Sequence, residues 1–220
     1  MSQLPDLIPI KKTAGQIRNQ ILENIVKMLT HRGLLKDNEL EQNIKNITKE
    51  HSDDMLYKIK TTKGVYPIKF VPQVITTLKK ASIIADFLAA YNNMGLVVVK
   101  EIKNSAHVKI YRVYPKVEIF TQDELMTDLK SKIIVPNIFY KIIDSQDPEY
   151  QQHLEKFLAE YNCKTIKKLP IMKEYDPMAK YLFCKPGDIV KIIRYSTTSL
   201  KTPYYRYIIK SNRNIDTKHV

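Results

Sequence analysis

Apolar residues in the first part of the chain recur at helical spacing and then in short β-branched runs. The spacing over Thr13–Arg32 predicts an amphipathic helix, and Gly33 is a typical residue to end it. A second helix is expected to begin at a cap on Asp37 or Asn38, and helical spacing returns over Val74–Leu88. The β-branched and apolar runs predict strands at Met55–Lys60, Tyr66–Val71, Gly95–Val99, Val108–Val113 and Val117–Phe120.

Helix caps mark two further elements. Thr121 and Glu124 have the spacing of a capping box, which predicts a helix that runs to about Leu129. Asp147 is a candidate cap for a later helix, because Pro148 suits the first helical position. The apolar stripe of that helix consists of Leu154, Phe157, Leu158 and Tyr161.

The last part of the pattern is dense in turns. Asp176 followed by Pro177 predicts the start of a short helix, and Lys185–Asp188 is typical of a tight turn in which glycine takes a positive φ. The apolar run Ile189–Ile193 and the aromatic run Tyr204–Ile209 follow, separated by about nine residues, and predict an antiparallel strand pair. The two predicted helices after residue 147 are expected to cover one face of this small sheet.

Composition narrows the classes of function. The 220 residues are 44% hydrophobic and carry a net charge of +13, which favours a polyanionic or acidic partner over a neutral one.

The two cysteines, Cys163 and Cys184, have neither metal-ligand spacing nor the density of a disulfide framework. We expect no metal and no cofactor, since there is also no glycine-rich phosphate loop. No apolar run has the length of a membrane span, so no membrane partner is expected.

The segment from Leu169 to Arg206 joins these caps and turns in one continuous pattern. It is made up of Leu169-Pro170, Asp176-Pro177-Met178-Ala179-Lys180-Tyr181, Lys185-Pro186-Gly187-Asp188-Ile189-Val190-Lys191 and Tyr205-Arg206. In order and spacing it resembles the C-terminal domain of RNA polymerase subunit 5, and the archaeal counterpart of that subunit consists of this domain alone. The resemblance implies that Asp176, Pro177, Tyr181 and Gly187 form the structural motif of such a domain.

The resemblance also implies a domain division. Residues 129–212 would form a small two-layer α/β domain that begins with a strand at Ile133–Pro136, and residues 213–220 a polar tail. Residues 1–128 alternate helices and strands, which predicts a mixed-sheet domain of the α/β or α+β class. Their order resembles the jaw domain of eukaryotic subunit 5, which has a restriction-endonuclease-like fold.

A non-catalytic role in transcription follows from this resemblance. The chain would be one subunit, in one copy, of a multisubunit DNA-directed RNA polymerase. Its C-terminal domain would dock on the largest subunit through Lys191, Arg194 and Arg206. Its partners would include the other polymerase subunits and downstream duplex DNA, with catalysis in the large subunits.

The residues of this chain that face DNA would lie in the N-terminal domain. Within the resemblance, a loop that starts near Ile102 falls beside downstream DNA, and its residues are Lys103, Asn104 and Ser105, with Lys109 on the following element. Lysines at such a rim attract phosphates without reading bases.

The composition also bears on the compartment. The chain is rich in Lys, Asn and Ile, as AT-rich genomes favour, and a polymerase encoded by a large DNA virus fits this composition. We therefore expect the chain in the nucleus if it is cellular, and in the virion or viral factory if it is viral.

Two other classes of function stay open at this level. Asp86, Glu101 and Lys103 follow the order of carboxylates and lysine in magnesium-dependent nucleases. Asp86 lies in a predicted helix, so its carboxylate would not be at a strand end. This argues against a nuclease metal site. A free-standing DNA-binding module is the other alternative.

Overall fold

The computed structural model describes residues 12–49, 54–76, 82–129, 138–196 and 200–210. The chain divides into two compact units, Met1–Thr127 and Asp128–Val220. Each unit contains a four-stranded mixed sheet with helices packed against it, so the chain belongs to the mixed α/β class. No helix within these ranges is long and apolar enough to cross a membrane.

The N-terminal unit has a sheet of order β1-β2-β3-β4, in which β1 and β2 are antiparallel and the other neighbours are parallel. Its core is formed by β3, which is buried along most of its length, and by the apolar faces of α1, α3 and α4. The elements are α1 (Ala14–His31), a 3-10 turn (Asp37–Glu39), α2 (Leu40–Lys49), β1 (Leu56–Thr61), β2 (Gly64–Ile75), α3 (Ser82–Ala90), β3 (Gly95–Ile102), α4 (Asn104–Val113), β4 (Val117–Thr121) and α5 (Gln122–Met126).

The first helix confirms the prediction made from its spacing. Thr13 and Gln16 form a capping box, in which each side chain accepts the other's backbone N–H. At the other end Gly33 has φ +71° and donates to the carbonyl of Thr30, while Leu34 donates back to Leu29. Those two bonds are a Schellman motif, which satisfies carbonyls that the helix end would otherwise leave unpaired.

Two predictions in this unit were wrong. Val108–Val113, predicted as a strand, lies in helix α4, because Ala106 and Ile110 lie one turn apart and both pack into the core. Apolar and polar residues alternate over this run, which is the pattern typical of a strand. Val74, predicted as helical, belongs to the end of β2, and the third helix spans Ser82–Ala90. The helix opened by the capping box of Thr121 and Glu124 is confirmed but ends at Met126.

The C-terminal unit has a sheet of order β5-β7-β8-β6, with β5, β7 and β8 antiparallel and β6 parallel to β8. The predicted strand pair is confirmed as β7 and β8, but both strands are longer than expected and Ser196 pairs with Leu200. The elements are β5 (Ile138–Ile143), α6 (Tyr150–Glu160), a 3-10 turn (Ile166–Lys168), β6 (Ile171–Lys173), α7 (Pro177–Tyr181), β7 (Ile189–Ser196) and β8 (Leu200–Ile209). The strand predicted at Ile133–Pro136 and the tail at 213–220 lie outside the described residues.

Helix α6 begins later than its predicted cap. The N-cap position is Glu149, and Asp147 instead accepts the backbone N–H of Glu149 at 2.9 Å in the turn before the helix. Leu154 and Phe157 are buried as the apolar stripe predicted, whereas Tyr161 is 38% exposed.

The two helices of this unit pack on opposite faces of the sheet, so the two-layer prediction was wrong. Helix α6 packs with Ile189 and Tyr207 on one face, which we call the α6 face. Helix α7 packs with Val190 and Ile208 on the other, the α7 face. Neighbouring strand residues point to opposite faces, so both helices were needed to bury the two sets of side chains.

Candidate functional site

The turn before β7 is built around a buried carboxylate. Asp188 is fully buried, and its Oδ1 accepts the backbone N–H of Ser145 at 2.7 Å while its Oδ2 accepts that of Lys185 at 2.8 Å. The ammonium of Lys141 lies 3.0 Å from Oδ2. Burial alone would lower the pKa of Lys141, but the carboxylates of Asp188 and Asp144 together outweigh burial and the net pKa is raised. This turn therefore ties β5 to the start of β7.

Gly187 belongs to the same turn. Its φ is +105°, and its carbonyl accepts the hydroxyl of Tyr150 at 3.0 Å. A Cβ at this position would lie 2.8 Å from the Cβ of Ser145. The turn therefore needs glycine both for its backbone conformation and for the close approach of Ser145.

The motif at α7 has the local structure that the sequence predicts. The Oδ1 atom of Asp176 accepts the backbone N–H of Met178 at 2.9 Å, and Pro177 occupies the first helical position. Tyr181, at the end of the helix, is buried. Asp176, Pro177, Tyr181 and Gly187 are therefore part of the scaffold that supports the sheet.

The three cations predicted to contact a partner do not share one surface. Lys191 pairs with Tyr140 on β5 and Tyr205 on β8, and its ammonium lies 5.8 Å and 5.9 Å from the centroids of their rings. Tyr205 belongs to the cluster under α6, so Lys191 lies on the α6 face. Arg206 pairs with Val190 and lies on the α7 face. Arg194 pairs with Thr202 further along β7.

A groove of about 570 Å³ opens on the α7 face beside Arg206. Nη1 of Arg206 donates to the carbonyl of Ile171 at 3.1 Å, which holds the guanidinium at the rim. Sequence reasoning missed this groove, because the short strand β6 that forms one wall carries no local signal. Its lining is Phe139, Ile171, Met172, Lys173, Tyr175, Asp176, Pro177, Met178, Ile192 and Arg206.

The candidate DNA-facing residues lie at the start of helix α4. Lys103 is the N-cap residue and is exposed, and its backbone N–H donates to the carbonyl of Ile75 at 2.9 Å. Asn104 and Ser105 are the first two helical residues. Lys109 is exposed one turn further, on a helix and not on the predicted strand.

The predicted nuclease residues fall on three different elements. Asp86 is exposed on α3, as its helical setting indicated, and Glu101 is exposed near the end of β3. Lys103 caps α4. Within the part of the chain that the structure describes, no group of three or more His, Cys, Asp or Glu residues is arranged to hold a metal ion.

The C-terminal unit is similar to a known family of polymerase subunits. Residues 148–208 match the family model for the C-terminal domain of RNA polymerase Rpb5. The DNA-directed RNA polymerase subunit Rpo5 of Nitrosopumilus maritimus is 35% identical over 85 residues, which are 39% of this chain and 99% of that protein. The chain belongs to the RNA polymerase subunit 5 family. Subunit Rpo5 of Archaeoglobus fulgidus is 46% identical over 74 residues, 32% of this chain and 97% of that protein.

A viral member of the subunit 5 family matches far more of the chain. The DNA-directed RNA polymerase subunit 5 of Acanthamoeba polyphaga mimivirus is 26% identical over 211 residues, 92% of this chain and 97% of that protein. The family model covers Asp176, Gly187, Lys191, Arg194 and Arg206. The viral relative extends the likeness into the N-terminal unit.

Proposed function

We propose that this chain is a non-catalytic subunit of a multisubunit DNA-directed RNA polymerase and acts in transcription. The observation that carries this proposal is the match to mimivirus subunit 5 over 97% of that protein. The archaeal relatives carry the name of the same subunit. Nucleotide addition then belongs to the large subunits, and the role of this chain is to bind.

The C-terminal unit is proposed to dock on the largest subunit. Arg206 supports this role, because a guanidinium at the rim of a concave surface is well suited to a partner's carboxylate. Arg194 lies further along the neighbouring strand β7. Lys191 lies on the opposite face, so a partner that covers only the α7 face would leave it uncontacted.

The N-terminal unit is proposed to form part of the jaw around downstream duplex DNA, on a restriction-endonuclease-like fold. The exposed Lys103 and Lys109 support this role, together with Arg112, which is exposed three residues beyond Lys109 on the same helix. Exposed cations neutralise phosphates without reading base edges, so the jaw would hold DNA of any sequence.

The proposed assembly contains one copy of this chain. In a cell nucleus it would be part of a nuclear polymerase, and in a virus it would be part of the polymerase of the virion or viral factory. The mimivirus relative supports the viral setting.

Affinity purification of the tagged full-length chain from its native source, followed by mass spectrometry, tests the proposal. The expected result is stoichiometric recovery of the two largest polymerase subunits in a wash at moderate salt. A free-standing DNA-binding module would instead bring down DNA without those subunits. A nuclease would cleave duplex DNA with magnesium as the purified chain alone, and would lose that activity in Glu101→Ala.

A further inference from the structure

The groove on the α7 face combines an apolar floor with a charged rim. Ile192 is 2% exposed at its floor, and the partly buried Phe139 and Met172 pack against the same cluster. Ile171, at the edge, leaves 53% of its surface in contact with water. An apolar side chain from a partner would cover this exposed area, and burial of such area is the main source of affinity in concave protein sites.

The rim of the groove is predominantly basic. Arg206 and Lys173 lie on it, and the single carboxylate in the lining is Asp176. That carboxylate already accepts the backbone N–H of Met178 as the cap of α7. Arg206 donates to the carbonyl of Ile171, and across the described residues it forms no salt bridge. A guanidinium with unused donors binds a carboxylate through two parallel hydrogen bonds.

We propose that this groove binds a segment of the largest polymerase subunit that carries an apolar side chain next to an aspartate or glutamate. The proposal rests on the proposed function and names the chemistry of the partner at that interface. The apolar side chain would cover Ile171 and the floor, and the carboxylate would pair with Arg206. An apolar floor gives no favourable site to a phosphodiester chain, so a nucleic acid fits this groove less well than a protein segment.

The α6 face provides a matched control. Lys191 carries the same charge on the adjacent strand of the same sheet, and Tyr140 is 38% exposed beside it, as Ile171 is exposed beside Arg206. Substitution at Lys191 therefore reproduces the change in net charge without altering the groove.

The first experiment compares Arg206→Glu with Lys191→Glu in the tagged full-length chain. Arg206→Glu is expected to reduce the co-purified largest subunit at least about tenfold, because the reversed charge would face the partner's carboxylate across a desolvated contact. Lys191→Glu is expected to stay close to the wild type. Thermal melts of both purified variants establish that each is folded. Equal recovery with Arg206→Glu and wild type would overturn the proposal.

The second experiment identifies the occupant directly. A photocrosslinking residue, p-benzoylphenylalanine, is placed at Ile171 and, as the control, at Tyr140. Crosslinks from position 171 are expected in one peptide of the largest subunit that contains an apolar residue beside Asp or Glu. Reversal of that acidic residue to Arg should restore the binding of Arg206→Glu. Crosslinks from position 171 to a basic segment, to nucleic acid or to no subunit would contradict the proposal.

The experiments distinguish a failure of the proposed function from a failure of the groove assignment alone. If the wild-type chain recovers no polymerase subunit, the proposed function fails. If the wild type recovers the polymerase and Arg206→Glu recovers as much, only the groove assignment fails.

Discussion

Arg32 and Glu118, 86 positions apart in the sequence, form a bidentate ion pair inside the N-terminal unit. Nη1 and Nη2 of Arg32 lie 2.9 Å and 2.7 Å from Oε1 and Oε2 of Glu118, and each side chain is only 6% exposed. The hydroxyl of Tyr66 donates to the same carboxylate. The pair joins the end of α1 to β4, and Tyr66 adds β2, so three elements depend on one buried carboxylate.

Glu118→Gln is expected to destabilise the chain by about 3–5 kcal/mol, because it leaves the Arg32 guanidinium buried without its counter-charge. Replacing both residues, as Arg32→Met with Glu118→Leu, is expected to cost less than Glu118→Gln alone, since no charge then remains buried. Urea unfolding of the full-length chain measures both.

The exposed pair of Lys36 and Glu39 is the control for this experiment. Their side chains are 69% and 50% exposed, and the charged atoms lie 3.5 Å apart. Glu39→Gln is expected to change stability by no more than about 1 kcal/mol, because water already screens the pair. A loss as large as that of Glu118→Gln would mean that burial is not what makes the Arg32 pair important.

The buried hydroxyl of Tyr66 should make the free energy of unfolding depend on pH in the alkaline range. Burial, with a further contribution from the Glu118 carboxylate, raises the pKa of Tyr66 well above the ordinary value of 10.0. Above pH 10 the unfolded chain would lose this proton while the folded chain keeps it. The stability that Tyr66 contributes is therefore complete below pH 10 and is lost as pH rises towards the folded-state pKa, by at most about 1.4 kcal/mol per pH unit.

The comparison of wild type with Tyr66→Phe isolates this effect. Below pH 10 the wild type should be the more stable of the two, and the difference should shrink as pH rises further, in urea unfolding at successive pH values. Tyr204, which is 45% exposed, serves as the control through Tyr204→Phe. A difference that stays constant with pH would show that the pKa of Tyr66 is not raised on folding.

The sequence predicted caps and turns correctly where the residues that form them are close together in the chain. The capping box at Thr121, the cap at Asp176 and the glycine turn at Gly187 each depend on residues within a few positions, and the structure contains all three. The run Val108–Val113 failed because its alternation fits a strand, whereas Ala106 and Ile110 are buried by contacts with distant parts of the sheet.

Contacts between residues that are far apart in the sequence had no such local signal. Nothing within the sequence next to Arg32 indicates Glu118 as its partner. Lys191 and Arg206 lie on adjacent strands, but the face that each occupies depends on the pairing register and on which helix covers that face. The groove beside Arg206 depends on β6, a strand of three residues whose position follows only from its pairing with β8.

Gly187 and Gly64 both have a positive φ. Alanine substitutions at the two positions therefore separate the free-energy cost of backbone strain from the cost of a steric clash. Gly64 has φ +115° and nothing within 4 Å of an added Cβ, whereas at Gly187 the added Cβ would lie 2.8 Å from Ser145. Gly64→Ala is expected to cost about 1–2 kcal/mol through backbone strain alone. Gly187→Ala should cost about 1–3 kcal/mol more, because Ser145 must also move. Differential scanning calorimetry of the two variants tests this, and equal losses would mean that the contact with Ser145 is easily relieved.

Helix α4 carries the proposed contacts to downstream DNA in the assembled polymerase. Lys103 and Lys109 are both exposed, and lysines that contact phosphates release counterions when DNA binds. Replacing both with Ala should weaken binding of downstream duplex DNA and reduce the salt slope of the binding constant by roughly one unit per lost contact. The rate of nucleotide addition should not change, because neither residue belongs to a catalytic subunit.

The control is a second pair of exposed lysines in the same unit, Lys45 and Lys49 on helix α2. Their replacement with Ala removes the same net charge, so a general electrostatic effect would reduce the salt slope equally in both double variants. A reduction confined to Lys103 and Lys109 would indicate direct phosphate contacts at the start of α4. Because lysines at a rim read backbone charge, the loss should also be the same for duplexes of different sequence. If neither double variant alters the slope, this unit holds DNA through other residues or does not hold it.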